Sequence, residues 1–265
     1  MYGGGILRRI LITSCKGGVG KSTVSIGIAT ALATLEKRVL LIDFDLGNRS
    51  LDLMLGLEDS FIYDICDLIS GRADCESVVT LHPEYPNLAF IGGPFRYTDD
   101  ITEKDFEMAL DRLEEVYDFD FIMVDTSGGA HESVTLSAPA CDTALIVSSQ
   151  NPTAIRAAEK SGMMLDENNV ETQFLVINGM DTSPENAKRR AGVLEMIDRT
   201  RTPLIGIVPM DVNLSLLSEE GKSIFSEKKC NSRTAFLNIA KRLCGESVPL
   251  LDGFKNVKRK RFLFR

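Results

Sequence analysis

A glycine-rich turn between an apolar run and a helix-forming run constrains this chain more than any other stretch. Residues 14–23 (SCKGGVGKST) follow an apolar segment at residues 6–13 and precede an Ala-, Ile- and Leu-rich segment at residues 24–35. Such a turn is a phosphate cradle, because backbone N–H groups approach the anion closely and the helix dipole adds positive charge. The stretch predicts a nucleotide site in which Lys21 reaches the phosphates and Ser22 binds magnesium.

One position departs from the usual pattern G-x-x-x-x-G-K-[ST], because Cys15 stands where a glycine is expected. Cysteine is small but carries a Cβ, so the turn must open with an ordinary backbone conformation. A glycine-rich turn is sometimes mere punctuation between two elements, but Gly20-Lys21-Ser22 in this context favours phosphate binding. The predicted nucleotide contacts of the turn are Gly17, Gly18, Val19, Gly20, Lys21, Ser22 and Thr23.

A second lysine, Lys16, makes the turn more specific. The spelling K-G-G-V-G-K-S-T at residues 16–23 resembles the deviant Walker A motif of the MinD/ParA family of dimerising ATPases. That resemblance implies that Lys16 crosses a subunit interface and stabilises charge at the partner's nucleotide, as an arginine finger does. Lys16 and Lys21 are therefore candidate catalytic residues, with a solvated surface lysine as the alternative for Lys16.

The predicted strand at residues 38–43 ends in Asp43-Phe44-Asp45, which places two carboxylates, Asp43 and Asp45, at its C-terminal end. Alternate residues of an extended segment share a face, so both could point toward magnesium and an attacking water. The spelling I-D-F-D-L-G at residues 42–47 resembles switch I of the MinD branch, which implies that Asp45 orients the water and Asp43 holds a metal-bound water. Two helix caps or solvated loop acids are the alternative.

The third phosphate-sensing element begins with Asp125, directly after the apolar run at residues 119–124. An acid in this place is typical of the Walker B position that anchors magnesium indirectly. The family has D-x-P-x-G or D-x-G-A-G here, whereas this chain has D-T-S-G-G. The final glycine of the family pattern is present as Gly129, and its backbone is expected to follow the γ-phosphate. Ser127 occupies the position of the usual proline or glycine.

Two later segments are candidates for the base site. The run at residues 174–177 leads into N-G-M-D, which lacks the lysine of the guanine-reading motif N-K-x-D. The family resemblance implies that Asn178 hydrogen-bonds adenine, so ATP is expected rather than GTP. After the run at residues 204–208, Pro209 and Asp211 resemble the loop that flanks the base.

Apolar runs that predict strands alternate along the chain with runs that predict helices. The alternation favours a single α/β domain with one doubly wound, mostly parallel sheet and helices on both faces. Predicted helices include residues 61–70, 103–117, 212–219 and 232–244, besides the one after the turn. Predicted strands are residues 6–13, 38–43, 88–91, 119–124, 143–148, 174–177 and 204–208. With the motifs above, residues 1–252 are interpreted as a P-loop NTPase domain of the deviant Walker A type.

Composition argues against several other classes of protein. The six cysteines contain no C-x-x-C pair, which disfavours a zinc ribbon, a redox motif or an iron–sulfur site. No apolar run approaches the ~20 residues needed to cross a bilayer, and residues 1–5 lack the basic and apolar regions of a secretory signal. A cytoplasmic protein is therefore expected.

Charge is distributed unevenly along the chain. The net charge is −8, yet residues 253–265 carry six basic residues and no acidic ones, so the rest of the chain carries −14. Residues 254–265 also contain Phe254, Phe262, Leu263 and Phe264, a combination that predicts contact with an anionic membrane surface. We interpret residues 253–265 as a membrane-targeting tail, with a solvated tail that aids solubility as the alternative.

Together these features predict a Mg²⁺-dependent ATPase that forms a homodimer with ATP and lies peripherally on the inner face of the cell membrane. The resemblance, closest to the MinD/FlhG branch of septum-site and flagellar-number regulators, implies positioning of a division site or polar structure, with slow hydrolysis until an activating protein binds. One alternative is a ParA-like DNA-partitioning ATPase, which the acidic body disfavours. Another is a nucleotide-bound scaffold that hardly hydrolyses ATP, suggested by Cys15 and Ser127.

Overall fold

The computed structural model describes residues 8–94, 101–129, 131–181, 183, 186, 189–226 and 231–250. These residues form one eight-stranded sheet with the order β3-β4-β2-β5-β1-β6-β7-β8. All neighbouring strands are parallel except β3, which pairs antiparallel with β4. The strands are β1 (Arg8–Thr13), β2 (Val39–Phe44), β3 (Thr80–Leu81), β4 (Leu88–Ile91), β5 (Phe121–Thr126), β6 (Thr143–Ser148), β7 (Thr172–Met180) and β8 (Leu204–Pro209). The predicted doubly wound, mostly parallel sheet is thus confirmed.

Helices cover both faces of the sheet, as predicted. Along β1, Ile10 and Ile12 pack in the core layer of α1 and α10, whereas Leu11 packs in the opposite layer with α5. Burial on both faces explains why the central strands are continuously apolar. The helices are α1 (Lys21–Thr34), α2 (Leu51–Leu55), α3 (Ile65–Ile69), α4 (Cys75–Val78), α5 (Glu103–Val116), α6 (His131–Ser137), α7 (Pro152–Glu167), α8 (Val193–Thr200), α9 (Val212–Glu219) and α10 (Asn231–Leu243).

Strand register brings the chemically interesting residues to one edge of the sheet. The central strand β1 lies between β5 and β6, and β2 lies on the other side of β5. Asp125 in β5 is opposite Ile12 in β1 and Asp43 in β2. Because parallel neighbours end at the same edge, the glycine-rich turn after β1 and both carboxylates meet there.

The helix predicted over residues 61–70 begins later, at Ile65. The Asp64 side chain accepts hydrogen bonds from the backbone N–H groups of Cys66, at 2.8 Å, and Asp67, at 3.2 Å. The Asp67 carboxylate in turn accepts from the Asp64 N–H, at 3.0 Å, which completes a capping box. The cap fixes the start of α3 four residues after the predicted one, because it satisfies the free N–H groups of the first turn.

Two other boundaries differ from the prediction. Helix α1 begins at Lys21 rather than at residue 24, so the end of the glycine-rich turn is already helical. Strand β7 continues to Met180, which places Asn178 within the strand rather than after it. Both differences move a predicted site residue onto a rigid element, where its direction is fixed by the backbone.

The predicted tail at residues 253–265 lies outside the described residues, as does the pentapeptide at residues 1–5. Within the described part of the chain, every helix is too short or too polar to cross a membrane.

Candidate functional site

The turn between β1 and α1 has the backbone geometry that its glycines predict. Gly18 and Gly20 adopt positive φ angles of 75° and 83°, a region that side chains disfavour. At Gly20 a Cβ atom would also collide with the amide nitrogen of Asn178. Cys15 has no positive φ, which confirms the ordinary backbone expected there, and its N–H donates to Ser161 Oγ at 2.9 Å.

Lys21, Ser22 and Asp125 form the centre of the site. Asp125 is 1% exposed and accepts hydrogen bonds from Lys21 Nζ at 3.1 Å and Ser22 Oγ at 3.0 Å. A third donor, Ser25 Oγ, lies 2.6 Å from the carboxylate. A buried carboxylate requires such donors, because desolvation otherwise penalises its charge heavily. Ser25 was not among the predicted site residues, although it lies one helical turn after Lys21 on the same face of α1.

Asp43 is fully buried and organises the loop after β2. One of its oxygens accepts from the N–H of Asp45 at 3.0 Å, and the other accepts from those of Ser50 and Leu51, both at 3.2 Å. Burial, together with the negative charge of Asp125, raises the pKa of Asp43 to about 7, while the backbone donors oppose that rise. The structure therefore gives Asp43 a role in shaping the loop; its contact with a metal-bound water stays a prediction.

Asp45 is half-buried and faces the end of the glycine-rich turn. Burial raises the pKa of Asp45, while the nearby Lys21 ammonium and a hydrogen bond from the Ser127 side chain lower it. A carboxylate held beside the phosphate-binding lysine is suitably placed to accept a hydrogen bond from a water molecule next to the terminal phosphate.

A cavity of about 310 Å³ unites the three predicted phosphate elements. Its lining comes from the glycine-rich turn, from the loop after β2 and from the turn after β5. The residues are Lys16, Gly17, Gly18, Gly20, Lys21, Ser22, Thr23, Asp45, Asn48, Ser50, Ser127 and Gly128. A phosphate chain placed there would meet backbone N–H groups, a lysine and a serine hydroxyl, which are the groups that bind polyphosphates.

A larger cleft of about 720 Å³ lies at the opposite edge of the sheet, where β7 and β8 begin. Its charged side chains include the Arg199–Glu159 pair, whose N–O distance is 2.9 Å. No glycine-rich turn lines this cleft, and its mixed charges select no one sign of ligand. Chemistry therefore assigns the nucleotide to the smaller cavity.

Two further predicted site residues, Lys16 and Gly129, make contacts at the edges of the site. Lys16 Nζ donates to Thr153 Oγ1 at 2.9 Å, at the N-terminus of α7. Gly129 has a φ angle of 80°, and its N–H donates to the carbonyl of Ser14 at 3.1 Å. Gly129 thus joins the turn after β5 to the start of the glycine-rich turn, whereas Lys16 points toward α7.

Asn178 contacts the glycine-rich turn directly, since its amide nitrogen donates to the carbonyl of Val19 at 2.8 Å. Within the described residues its side-chain oxygen has no hydrogen-bond donor, which leaves an acceptor at the predicted base site. Pro209 ends β8 opposite Met180. Asp211 caps α9 through the N–H of Asn213 at 3.1 Å and does not line the phosphate cavity.

The donor set fits magnesium. The candidate ligands Ser22, Asp43 and Asp125 offer only oxygen atoms, and Mg²⁺ is usually held by one or two carboxylates together with substrate phosphates and waters. Within the described residues no three His, Cys, Asp or Glu side chains cluster into a site that could hold a metal by itself. The Ser22 hydroxyl is already within 3.0 Å of Asp125, so the two can act together on one ion.

Comparison with known proteins places this geometry in a family. The profile of the CobQ/CobB/MinD/ParA nucleotide-binding domain matches residues 10–224. Septum site-determining protein MinD of Bacillus subtilis (strain 168) is 33% identical over 243 residues, covering 91% of this chain and 90% of that protein. The MinC:MinD cell division protein complex of Aquifex aeolicus gives a TM-score of 0.84 at 32% identity, covering 92% and 98% of the two chains. MinD of Pyrococcus horikoshii OT3, complexed with Mg-ADP, shares the fold with a TM-score of 0.78 at 23% identity, covering 90% and 96%.

Proposed function

The chain belongs to the CobQ/CobB/MinD/ParA nucleotide-binding family, and from this premise we propose that it is a Mg²⁺-dependent ATPase that dimerises with ATP, binds a membrane surface and helps to position a division site or polar structure. The observation that carries the proposal is the convergence of Lys21, Ser22 and Asp45 on one cavity, with the buried Asp125 hydrogen-bonded to Lys21 and Ser22. The septum-site role of the Bacillus relative and the cell division role of the Aquifex relative support the cellular function.

The described residues supply the chemical steps of the proposed hydrolysis. Lys21 moves from Asp125 to the β- and γ-phosphates, while Ser25 and Ser22 keep the Asp125 carboxylate hydrogen-bonded. Ser22, together with the Asp125 carboxylate, would hold a bound Mg²⁺, which would neutralise charge on the phosphate oxygens. Asp45 orients the attacking water, and in the dimer Lys16 leaves Thr153 to reach the partner's nucleotide. The protein itself contributes little covalent chemistry, because catalysis of phosphoryl transfer depends mainly on positioning and on stabilisation of charge.

An activating partner protein is part of the proposal, because the chain belongs to a family in which MinD is found in complex with MinC. Phosphate release measured with and without anionic lipid separates a slow, activatable ATPase from a scaffold that binds ATP without hydrolysis. A rate indistinguishable from that of the buffer under both conditions would favour the scaffold.

We predict that Asn178 makes the site prefer adenine. Its amide nitrogen donates a hydrogen bond to the Val19 carbonyl. Its side-chain oxygen is then left to face the base and to accept a hydrogen bond from the adenine amino group. Guanine presents an acceptor there instead, and two facing acceptors cost about 1–3 kcal/mol, or roughly 5–150-fold in affinity. Titration of fluorescent ADP and GDP analogues should show this preference, and Asn178→Ala should abolish it.

The matched control is Asn168→Ala, because Asn168 also donates its amide nitrogen to a backbone carbonyl, that of Met164 at 2.7 Å, but at the C-terminal end of α7. It should leave the preference for adenine unchanged. Equal binding of ADP and GDP by the wild-type chain would contradict the role of Asn178.

We predict that ATP drives the chain onto anionic liposomes through residues 254–265. Each cation near an anionic surface contributes about 1 kcal/mol, and that contribution is weakened by salt. One tail therefore binds reversibly, and two tails held together gain about 10²–10⁴-fold in avidity. In sedimentation with a non-hydrolysable ATP analogue, the protein should bind far more tightly than with ADP, and deletion of residues 254–265 should abolish binding.

The same preparation tests the dimer by light scattering. A chain that stays monomeric when saturated with the analogue would contradict the proposed dimerisation, whatever its lipid affinity. A salt titration against double-stranded DNA runs in parallel, and tighter ATP-dependent binding to DNA than to lipid would favour a ParA-like role for the tail.

A further inference from the structure

Arg49 lies in the loop after β2, between two residues that line the phosphate cavity. Asn48 and Ser50 belong to that lining, whereas Arg49 does not. The Arg49 side chain is only 9% exposed, so it is turned into the protein while its neighbours face the cavity. Arginine is seldom buried without partners. The contacts that hold this side chain inside the protein therefore also hold the loop.

The charged partner of Arg49 is Asp52, in α2. Arg49 Nε donates to Asp52 Oδ2 at 2.6 Å, and Nη2 of the same guanidinium contacts the same oxygen. The Asp52 carboxylate is 4% exposed, and within the described residues its other oxygen has no hydrogen-bond donor. A buried carboxylate is unfavourable unless a donor or a positive charge compensates it. Asp52 therefore depends on Arg49 and holds the guanidinium in one place.

The ring of Phe61 supports the same guanidinium from below. The central carbon of the Arg49 guanidinium is 4.4 Å from the centre of the ring, which is the distance of a cation–π contact. Phe61 packs in turn on Phe90 of β4, with the ring centres 5.6 Å apart, and on Gly92, where a Cβ atom would collide with the ring. A continuous series of contacts thus runs from the buried strand β4 through Phe61 to Arg49.

Arg49 is a second kind of anchor for the loop, different from Asp43. The Asp43 carboxylate accepts hydrogen bonds from the backbone N–H groups of Asp45, Ser50 and Leu51, so it holds only the two ends of the loop. Arg49 instead fixes the loop through a side chain that reaches α2 and the ring beside β4. The loop is therefore held on the side away from the cavity as well as at its ends.

We propose that Arg49 is a positioning residue for ATP hydrolysis, because it anchors the loop whose cavity face carries Asp45, Asn48 and Ser50. The inference rests on the proposed ATPase function and adds to it a residue that does not line the cavity. Turnover depends on accurate placement of the reacting groups, and a displacement of about 1 Å costs up to about 100-fold in rate. Binding depends mainly on the glycine-rich turn and Lys21, so Arg49 should affect kcat far more than KM for ATP.

The test replaces both members of the pair by apolar side chains, in the double variant Arg49→Met with Asp52→Leu. Arg49→Met alone leaves a buried, uncompensated carboxylate, whereas apolar replacement of both partners of a buried ion pair often leaves stability unchanged or higher. The double variant should therefore unfold at a temperature close to that of the wild type, yet hydrolyse ATP about 10–100-fold more slowly with KM nearly unchanged. A double variant with the kcat of the wild type would overturn the proposal.

Phe61→Leu is an independent variant, because it keeps both charges and removes only the ring. Loss of a cation–π contact corresponds to about 2–5-fold, and kcat should fall by that factor. A kcat equal to that of the wild type in Phe61→Leu would overturn the proposal even if the double variant failed to fold.

The matched control is Arg199→Met with Glu159→Leu. This pair has an N–O distance of 2.9 Å and lies in the larger cleft at the opposite edge of the sheet. Its replacement should leave kcat and KM unchanged. An equal fall in kcat in this control would overturn the proposal, since the effect would then not depend on the loop after β2.

Amide hydrogen exchange of the loop at residues 45–51 separates this inference from the proposed activity. Even if the wild-type chain hydrolyses no ATP, which would refute the ATPase function, loss of the Arg49–Asp52 pair should speed exchange in the loop, whereas loss of the Arg199–Glu159 pair should not. Unchanged exchange in the Arg49→Met, Asp52→Leu variant would show that the pair does not anchor the loop, and the proposal would fail on that result alone.

Discussion

The Lys21→Met variant should bind ATP at least about 100-fold more weakly than the wild-type chain. Lys21 lies at the start of α1, with its ammonium 3.1 Å from Asp125 and beside the phosphate cavity. A hydrogen bond to a charged group contributes about 1.5–3 kcal/mol, so contacts with two phosphates contribute about 3–6 kcal/mol. Since about 1.4 kcal/mol is a factor of ten, calorimetric titration with ATP should show the loss directly.

Lys16→Met is the informative comparison, because both lysines belong to the same turn. Lys16 is held by Thr153 at the N-terminus of α7, and we propose that it acts on the partner's nucleotide. Its loss should therefore spare nucleotide binding by the monomer and impair dimerisation. Equal loss of monomer affinity in the two variants would contradict the division of roles between them.

Folding must be separated from binding in this comparison, since Lys21 is 7% exposed and its partner Asp125 is 1% exposed. Removing one member of a buried ion pair typically costs about 3–5 kcal/mol, although the hydroxyls of Ser22 and Ser25 remain as donors to Asp125 here. The double variant Lys21→Met with Asp125→Asn buries no unpaired charge. It should unfold at a temperature closer to that of the wild type while still failing to bind ATP.

Strand positions were predictable because the central strands are buried on both faces. In β2, β5 and β6 every residue is buried, and each strand contains a short apolar run, at residues 39–42, 121–124 and 144–147, that marks its position in the sequence. The convergence of Lys21, Ser22 and Asp125 was predictable for a related reason. Parallel strands end at one edge of the sheet, so acids that follow apolar runs meet the turn that follows the first run.

Boundaries and supporting residues were harder to predict, because they depend on contacts between distant parts of the chain. Ser25 and Asp125 are 100 residues apart, and nothing in the spacing of serines signals that they meet. The start of α3 is different, because Asp64 and Asp67 carry a local capping signal that the apolar spacing of residues 61–70 obscured.

The sequence also left the role of Asp43 open between a metal contact and a cap. The backbone N–H groups of Asp45, Ser50 and Leu51 donate to its two oxygens, so Asp43 shapes the loop, while its contact with a metal-bound water stays a prediction. Asp45, two residues later, lines the cavity instead. The alternation of side chains along an extended segment does not distinguish the roles of these two acids. Their surroundings differ because of the path of the loop after β2, which the alternation does not predict.

That difference makes Asp45→Ala the sharpest test of the proposed chemistry. A group that orients or activates the nucleophile typically contributes about 10²–10⁴-fold to the rate, and we expect kcat for ATP hydrolysis to fall by that factor. Asp64→Ala is the control: Asp64 is also a carboxylate whose pKa is raised by burial, but it caps α3 and should leave hydrolysis unchanged. The hydrolysis rates of the two variants are measured by phosphate release at saturating ATP in the presence of anionic lipid.

Loss of hydrolysis in Asp45→Ala should trap the bound state rather than prevent it. The Asp45 carboxylate faces the cavity in which the γ-phosphate would lie, so its removal takes away a like charge and should leave ATP affinity equal or higher. With the phosphate-binding residues and Lys16 intact, the variant should therefore accumulate as ATP-bound dimers on liposomes and fail to release. Normal turnover would refute the role of Asp45, whereas loss of both turnover and ATP binding would mean that this acid supports the site's structure instead of its chemistry.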